Sequence, residues 1–88
     1  MTVALMWEAR AAEGRGGELL DWARRQTLPR EPQRRETFRA PQGRVLVITW
    51  WDAAGLGADL PELPEPAPGL VTRAVHRWRF EQVEDGPR

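Results

Sequence analysis

The sequence predicts an α+β domain with one helix and four strands. Apolar and polar residues alternate along residues 3–10 and 70–83, as in strands with one buried face, whereas residues 19–26 follow the period of an amphipathic helix. A second long helix is excluded, because an interior proline costs a helix about 3 kcal/mol. The prolines that exclude it are Pro61, Pro64, Pro66 and Pro68.

The first strand and the helix occupy residues 3–29. Residues 3–10 form the strand, and the glycine-rich turn at residues 11–17 follows it. The helix is predicted because one stripe of residues recurs at positions i, i+3, i+4 and i+7, and Pro29 ends it. The stripe consists of the apolar Leu19, Trp22 and Ala23, with Gln26 at its last position.

The second and third strands are predicted as a hairpin around the turn at residues 41–43. Residues 35–39 form a short strand, and residues 44–51 form the strongest strand of the chain. The apolar residues of this third strand are consecutive, so we expect both of its faces to be covered. Alternation places Trp50 and Trp51 on opposite sides of the sheet.

The rest of the chain is predicted to be a crossover and a last strand. Residues 52–69 are rich in proline and glycine and leave room for one helical turn at residues 58–63. Residues 70–83 form the fourth strand, so that residues 1–84 make a single domain and residues 85–88 a polar tail. This element order is the ferredoxin-like pattern, with the second helix reduced to a loop.

A single helix covers only part of one face of such a sheet. The opposite face would expose several large apolar side chains to water, which soluble monomers rarely do. A chain of 88 residues also buries only about 60–65% of its unfolded surface by itself. We therefore expect a homodimer in which two sheets pack face to face with two-fold symmetry.

The composition removes several classes of function. The chain has no Cys, Ser, Tyr, Lys or Asn and a single His, which removes most catalytic nucleophiles and any thiolate metal site. Thirteen basic residues, all Arg, balance thirteen acidic ones, which argues against nucleic acid as a partner. The longest apolar run is too short for a membrane span and the N-terminus does not read as a secretory signal, so we expect a cytoplasmic protein. The exclusive use of Arg, with abundant Ala, Gly and Pro, is typical of a GC-rich bacterial genome.

Three stretches carry a resemblance to a known superfamily: "EARAAEGRGGELLDW", "RVLVITWWD" and "VTRAVHRWRFEQV". Together they resemble the dimeric α+β barrel superfamily and, within it, the antibiotic-biosynthesis-monooxygenase-like domains, over residues 3–83. The resemblance implies a ferredoxin-like dimer that holds a small apolar molecule between sheet and helix or inside the barrel. Its members include cofactor-independent oxygenases, polyketide cyclases and haem-degrading enzymes.

The resemblance does not extend to the haem-degrading members. These have an Asn on the first strand, where this chain has Trp7, and a Trp and a His on a second long helix that this chain lacks. We therefore expect no cofactor and no metal. A metal or haem carrier is a third hypothesis, limited by the single His and the absence of Cys.

The candidate site residues are few. His76 is the candidate general base, because histidine exchanges a proton near neutral pH. Arg73 and Arg77, predicted with Arg79 on one face of the last strand, are the candidate clamp for an anion. Each kind of candidate has an ordinary structural alternative. The histidine is then satisfied by a neighbouring group on its strand, and the arginines are exposed to solvent or paired with acidic side chains. The tryptophans of the chain then lie in the core or in the dimer interface. The candidate walls of a binding slot are Trp7, Trp50 and Trp78.

Two functions fit these residues. The first is binding of a small apolar or aromatic molecule, with or without its cofactor-free transformation, as in a monooxygenase or a cyclase. The alternative is a non-catalytic dimeric module whose apolar sheet is filled by self-association. Whether the chain is an enzyme is left open by the sequence.

Overall fold

The computed structural model describes residues 1–84, which form a four-stranded antiparallel sheet and one α-helix. This confirms the predicted α+β class and the order of the elements. The predicted tail, residues 85–88, lies outside the described residues. No helix in residues 1–84 has the length and apolar character needed to cross a membrane. In chain order the elements are β1 (Thr2–Arg10), α1 (Gly16–Arg25), β2 (Arg34–Ala40), β3 (Arg44–Asp52), a 3₁₀ turn (Pro68–Leu70) and β4 (His76–Glu81).

The strands lie in the order β2-β3-β1-β4, with β1 and β3 in the centre. Every neighbouring pair is antiparallel. The register places Ala4 of β1 opposite Trp50 of β3 and, on its other side, opposite Phe80 of β4. This arrangement is consistent with a ferredoxin-like layout in which residues 53–75 replace the second helix.

One face of the sheet carries the hydrophobic core, and we call it the covered face. Leu19 and Ala23 of α1 pack on it, and so do Leu60 and Leu63 of the crossover segment. Alternation along β1 and β3 supplies its side chains, all of them buried. These are Val3, Leu5, Trp7, Ala9, Val45, Val47, Thr49 and Trp51.

Trp22 takes the predicted core position, although part of it stays exposed. Its ring stacks on that of Trp7, with the ring centroids 5.8 Å apart. The Trp7 indole N–H donates to the carbonyl of Pro64 at 3.3 Å, so its polar atom is satisfied within the core. The helix and the crossover segment thus meet on the same tryptophan.

Two local features lie at the two ends of α1. Arg35 of β2 donates to the carbonyl oxygens of Ala23 and Gln26 at 2.8 and 2.7 Å, which satisfies acceptors that the end of a helix leaves unpaired. Near the start of the helix, the turn between β2 and β3 requires Gly43. Its φ is +69°, and a Cβ there would lie 3.0 Å from the Cβ of Ala11.

Two arginines of β4 hold the crossover segment, residues 53–75, against the sheet. Arg77 donates to the carbonyl of Leu63 at 2.6 Å, and Arg79 donates to the carbonyl of Ala58 at 2.7 Å. Glu62 lies 3.0 Å from Arg79 and 3.6 Å from Arg77. The partners of these guanidinium groups therefore come from the crossover segment itself.

The room for one helical turn at residues 58–63 is not used. This stretch is not helical, and a single 3₁₀ turn forms at Pro68–Leu70 instead. Pro61 and Pro64 lack the N–H that a helix needs. The carbonyls of Ala58 and Leu63 accept from guanidinium groups of β4 rather than from a helical turn.

The Leu19→Ala substitution is expected to lower the free energy of unfolding by about 2–4 kcal/mol, because a fully buried leucine leaves a cavity. The matched control is Leu56→Ala, which removes the same atoms from a side chain that is 44% exposed. We expect this control to cost less than about 1 kcal/mol. Urea denaturation at equal protein concentration measures both values, and equal losses would contradict the assigned core.

Candidate functional site

The second face of the sheet has no cover in the part of the chain that the structure describes. Its apolar side chains come from all four strands, and Phe38, Trp78 and Phe80 are 44–52% exposed. The expected cover on both sides of β3 is therefore present on one side only. We call this surface the open face; its apolar side chains are those of Ala4, Met6, Phe38, Leu46, Ile48, Trp50, Trp78 and Phe80.

The strand register forms a narrow feature on the open face, which we call the aromatic slot. Trp50, Ala4 and Phe80 lie in one row across β3, β1 and β4. Neighbouring strands are about 4.8 Å apart, so the two aromatic residues stand about 10 Å apart with only a methyl group between them. The guanidinium of Arg34 lies over the Trp50 ring, 4.4 Å from its centroid. The register thus places one aromatic residue on each side of a small one.

A charged group, the Glu8 cluster, occupies another part of the open face. Glu8 is only 5% exposed, although it projects from the uncovered side of β1. Arg44 donates from Nε to Glu8 Oε2 at 3.1 Å, and Arg73 donates from Nη2 to Glu8 Oε1 at 2.6 Å. His76 completes the cluster, with Nδ1 3.6 Å from Glu8 Oε1.

The electrostatics of the cluster favour a charged Glu8. Burial alone raises the pKa of this carboxyl. The hydrogen bonds and positive charges of Arg73 and Arg44 outweigh burial, and they hold the pKa of Glu8 below its usual value. Glu8 therefore stays ionised at neutral pH and serves as a fixed negative centre for the groups around it.

His76 lies between the Glu8 carboxylate and the aromatic side chains of β4. Its ring meets Trp78 edge to face, with the ring centroids 5.4 Å apart, and its side chain is half exposed. Because Nδ1 faces the carboxylate, Nε2 is the nitrogen left to contact another molecule. At 3.6 Å this pair is longer than a hydrogen bond, so the carboxylate lies beside the imidazole without holding it in one orientation.

The structure does not bring all the predicted site residues together. His76, Trp50 and Trp78 lie on the open face. Trp7 and Arg77 lie on the covered face, where Trp7 is buried and Arg77 contacts the crossover segment. The predicted walls Trp7, Trp50 and Trp78 thus belong to two sides of one sheet.

The prediction that Arg73 shares a strand face with Arg77 and Arg79 is wrong. The strand β4 begins at His76, so alternation along β4 does not apply to Arg73. Arg73 instead reaches Glu8 on the open face, whereas the other two arginines hold the crossover segment.

Sequence reasoning missed Arg44, Phe38 and Phe80 as site residues and did not place Glu8 there. The available signal was a charged residue among apolar positions of the first strand, since Glu8 lies on the same side of the strand as Ala4 and Met6. Its partner Arg44 is 36 positions away and meets it only through the pairing of β1 with β3. Nothing in the sequence sets that register directly.

The described residues also define what the site can hold. In residues 1–84 no group of three or more His, Asp or Glu side chains is placed to bind a metal ion. The larger surface depressions, of about 570 to 670 Å³, are lined by none of the predicted site residues. The candidates His76, Trp50 and Trp78 therefore lie on the open face and outside these depressions.

Comparison with known proteins adds no functional information. No family model matches the chain, and no curated protein or solved structure matches it. A function for this chain therefore has to follow from its own residues and their geometry.

The Glu8→Gln substitution is expected to lower the free energy of unfolding at pH 7 by about 1–3 kcal/mol, because two guanidinium groups lose their anion. A lowered pKa means that the charged carboxyl stabilises the fold above its unfolded-state pKa, and that this contribution is lost as the pH falls through the folded-state value. The difference between wild type and variant should therefore shrink in acid.

Denaturation between pH 7 and pH 3 measures this difference. The control is Glu31→Gln, which neutralises an exposed carboxylate in the connector before β2 and should change stability by less than about 0.5 kcal/mol. A Glu8→Gln protein as stable as wild type at pH 7 would contradict the role assigned to the cluster.

Proposed function

We propose that this chain is a homodimer that packs two open faces together and binds a small aromatic or apolar molecule in the aromatic slots between them. The observation that carries the proposal is the uncovered aromatic face of the sheet. Isolated apolar residues on a surface need no explanation, but a continuous patch on all four strands does. The ferredoxin-like, dimeric α+β barrel assignment is part of the same proposal, and the antiparallel sheet and its strand order support it.

The size of the open face suits a dimer interface. The strands contain six to nine residues, and four strands side by side span about 19 Å, so the face covers roughly 500 Å² in projection. Side chains make its accessible area larger than this. Stable interfaces bury about 800 Å² per partner, which is the same order of size.

The edges of the sheet favour packing through faces over pairing through edges. The edge strands β2 and β4 carry charged residues along their lengths, including Arg34, Arg39 and Arg79. Charged edge strands are a common device against pairing with another sheet. A second copy therefore meets the least opposition at the open face.

The geometry of the aromatic slot favours a planar ligand. A gap of about 10 Å between the residues that carry two aromatic walls accommodates a flat ring stacked between them. Ala4 leaves that space empty, and a second sheet laid on the open face would exclude water from it. The same packing brings the imidazole of His76 to the enclosed surface, where it would act as the base if the ligand is turned over without a cofactor. The cytoplasmic location remains a prediction.

The alternative function is a non-catalytic dimer, and the large side chains of the open face favour it. Trp78, Phe80 and Met6 could interdigitate with their copies and leave no space for a ligand. A packed interface and a slotted interface predict the same oligomeric state but different behaviour toward small aromatic molecules. Two measurements therefore follow.

The Phe80→Glu substitution is expected to convert the dimer to a monomer, because it places two like charges in the interface of the dimer. The matched control is Leu56→Glu, at a similarly exposed apolar side chain outside the open face. Sedimentation equilibrium at micromolar concentration should give twice the 10.1 kDa chain mass for the wild type and the control, and 10.1 kDa for Phe80→Glu. A monomeric wild type would overturn the proposed dimer.

Nitrobenzene, a neutral aromatic quencher, is expected to reduce the tryptophan fluorescence of the wild type along a saturable curve, because it occupies the slot beside Trp50. The Ala4→Leu substitution fills the slot without removing an aromatic group, and should leave only the linear quenching caused by collisions. Sedimentation of Ala4→Leu checks that the dimer persists. Linear quenching in the wild type would favour the non-catalytic dimer.

A further inference from the structure

A small cleft at one end of the open face is distinct from the aromatic slot. Its volume is about 110 Å³, and its lining includes Phe38, Leu46, Glu8 and Arg44. Glu8 lies four positions from Ala4 along β1, which separates the cleft from the slot by about 13 Å. A cavity of about 150 Å³ can hold benzene, so this smaller cleft, which is open to solvent on one side, takes part of a ring or a short branched chain.

The charge around the cleft is positive. Arg44 and Arg73 share a single carboxylate, that of Glu8. Arg10 lies opposite Arg44 in the register of β1 and β3, on the same side of the sheet. Arg39 also lines the cleft, so four guanidinium groups against one carboxylate leave three formal positive charges. A cation therefore finds no favourable site here, whereas an anion does.

Arg44 has donors to spare. Among residues 1–84 it donates a side-chain hydrogen bond from Nε only, to Glu8. Its two outer nitrogens are available to a ligand, and its side chain is 53% exposed. A guanidinium group presents such donors as a planar fork that matches the two oxygens of a carboxylate.

We propose that this cleft binds the carboxylate of a small aromatic or branched apolar acid. The outer nitrogens of Arg44 take the two carboxylate oxygens, and Phe38 and Leu46 contact the apolar part. The apolar lining favours such an acid over inorganic phosphate, which has no apolar part to bury. The Glu8 carboxylate holds Arg44 in place through Nε, and Arg73 offsets its negative charge. This site goes beyond the proposed function, since it needs neither the aromatic slot nor a ligand within it. It lies beside the β2–β3 turn, at the end of the open face, and the proposal requires that the partner sheet of the dimer leave this end uncovered.

The test compares benzoate with benzamide, which has the same ring and shape but no charge. Calorimetric titration of the wild-type chain should show benzoate binding at least about tenfold more tightly, because a charged bidentate contact is lost with the amide. Arg44→Gln should abolish this preference, and Arg44→Lys should retain part of it. The control Arg25→Gln removes the same charge from an exposed position at the end of α1 and should bind benzoate like the wild type.

Each contrary result is distinct. Equal affinity for benzoate and benzamide, or no binding of benzoate at millimolar concentration, would overturn the carboxylate site, and the wild-type comparison decides this even if Arg44→Gln does not fold. Unchanged binding in a folded Arg44→Gln protein would do the same. Loss of benzoate binding in Ala4→Leu would place benzoate in the aromatic slot, which overturns the cleft and leaves the proposed function standing.

Discussion

The structure depends on one constraint: its sheet has two apolar faces, and residues 1–84 supply cover for one of them. The central strands β1 and β3 carry apolar side chains in both directions. The helix α1 and the crossover segment both pack on the covered face, where Trp7 and Val47 are buried. The open face and its aromatic slot follow from this shortage, and so does the proposed dimer.

Arginine side chains hold the helix α1 and the crossover segment on the sheet. The chain has no lysine, and its guanidinium groups add hydrogen bonds between segments that also pack in the core. Arg35 satisfies the end of α1, while Arg77 and Arg79 hold the crossover segment through carbonyl oxygens and Glu62. Arg44 applies the same chemistry on the open face, but there its outer donors have no partner within residues 1–84, and these are the donors of the proposed carboxylate site.

The elements were predictable because their signals are local. Alternation and helical spacing lie within one segment, so α1, the hairpin of β2 and β3, and the opposite orientation of Trp50 and Trp51 could be predicted. The site was harder to predict, since it depends on how separate strands are paired. Trp7 and Trp50 point to opposite faces because of the register of β1 with β3, and Arg73 escapes alternation because β4 begins only at His76.

The central claim is that two open faces meet, and nuclear magnetic resonance on a mixed sample tests it most directly. Labelled and unlabelled chains are combined, and isotope filtering retains only contacts between different copies. The account predicts intermolecular nuclear Overhauser effects from the rings of Trp78 and Phe80 to open-face side chains such as Ile48. Intermolecular contacts confined to α1 or to the crossover segment, or none in any region, would contradict it.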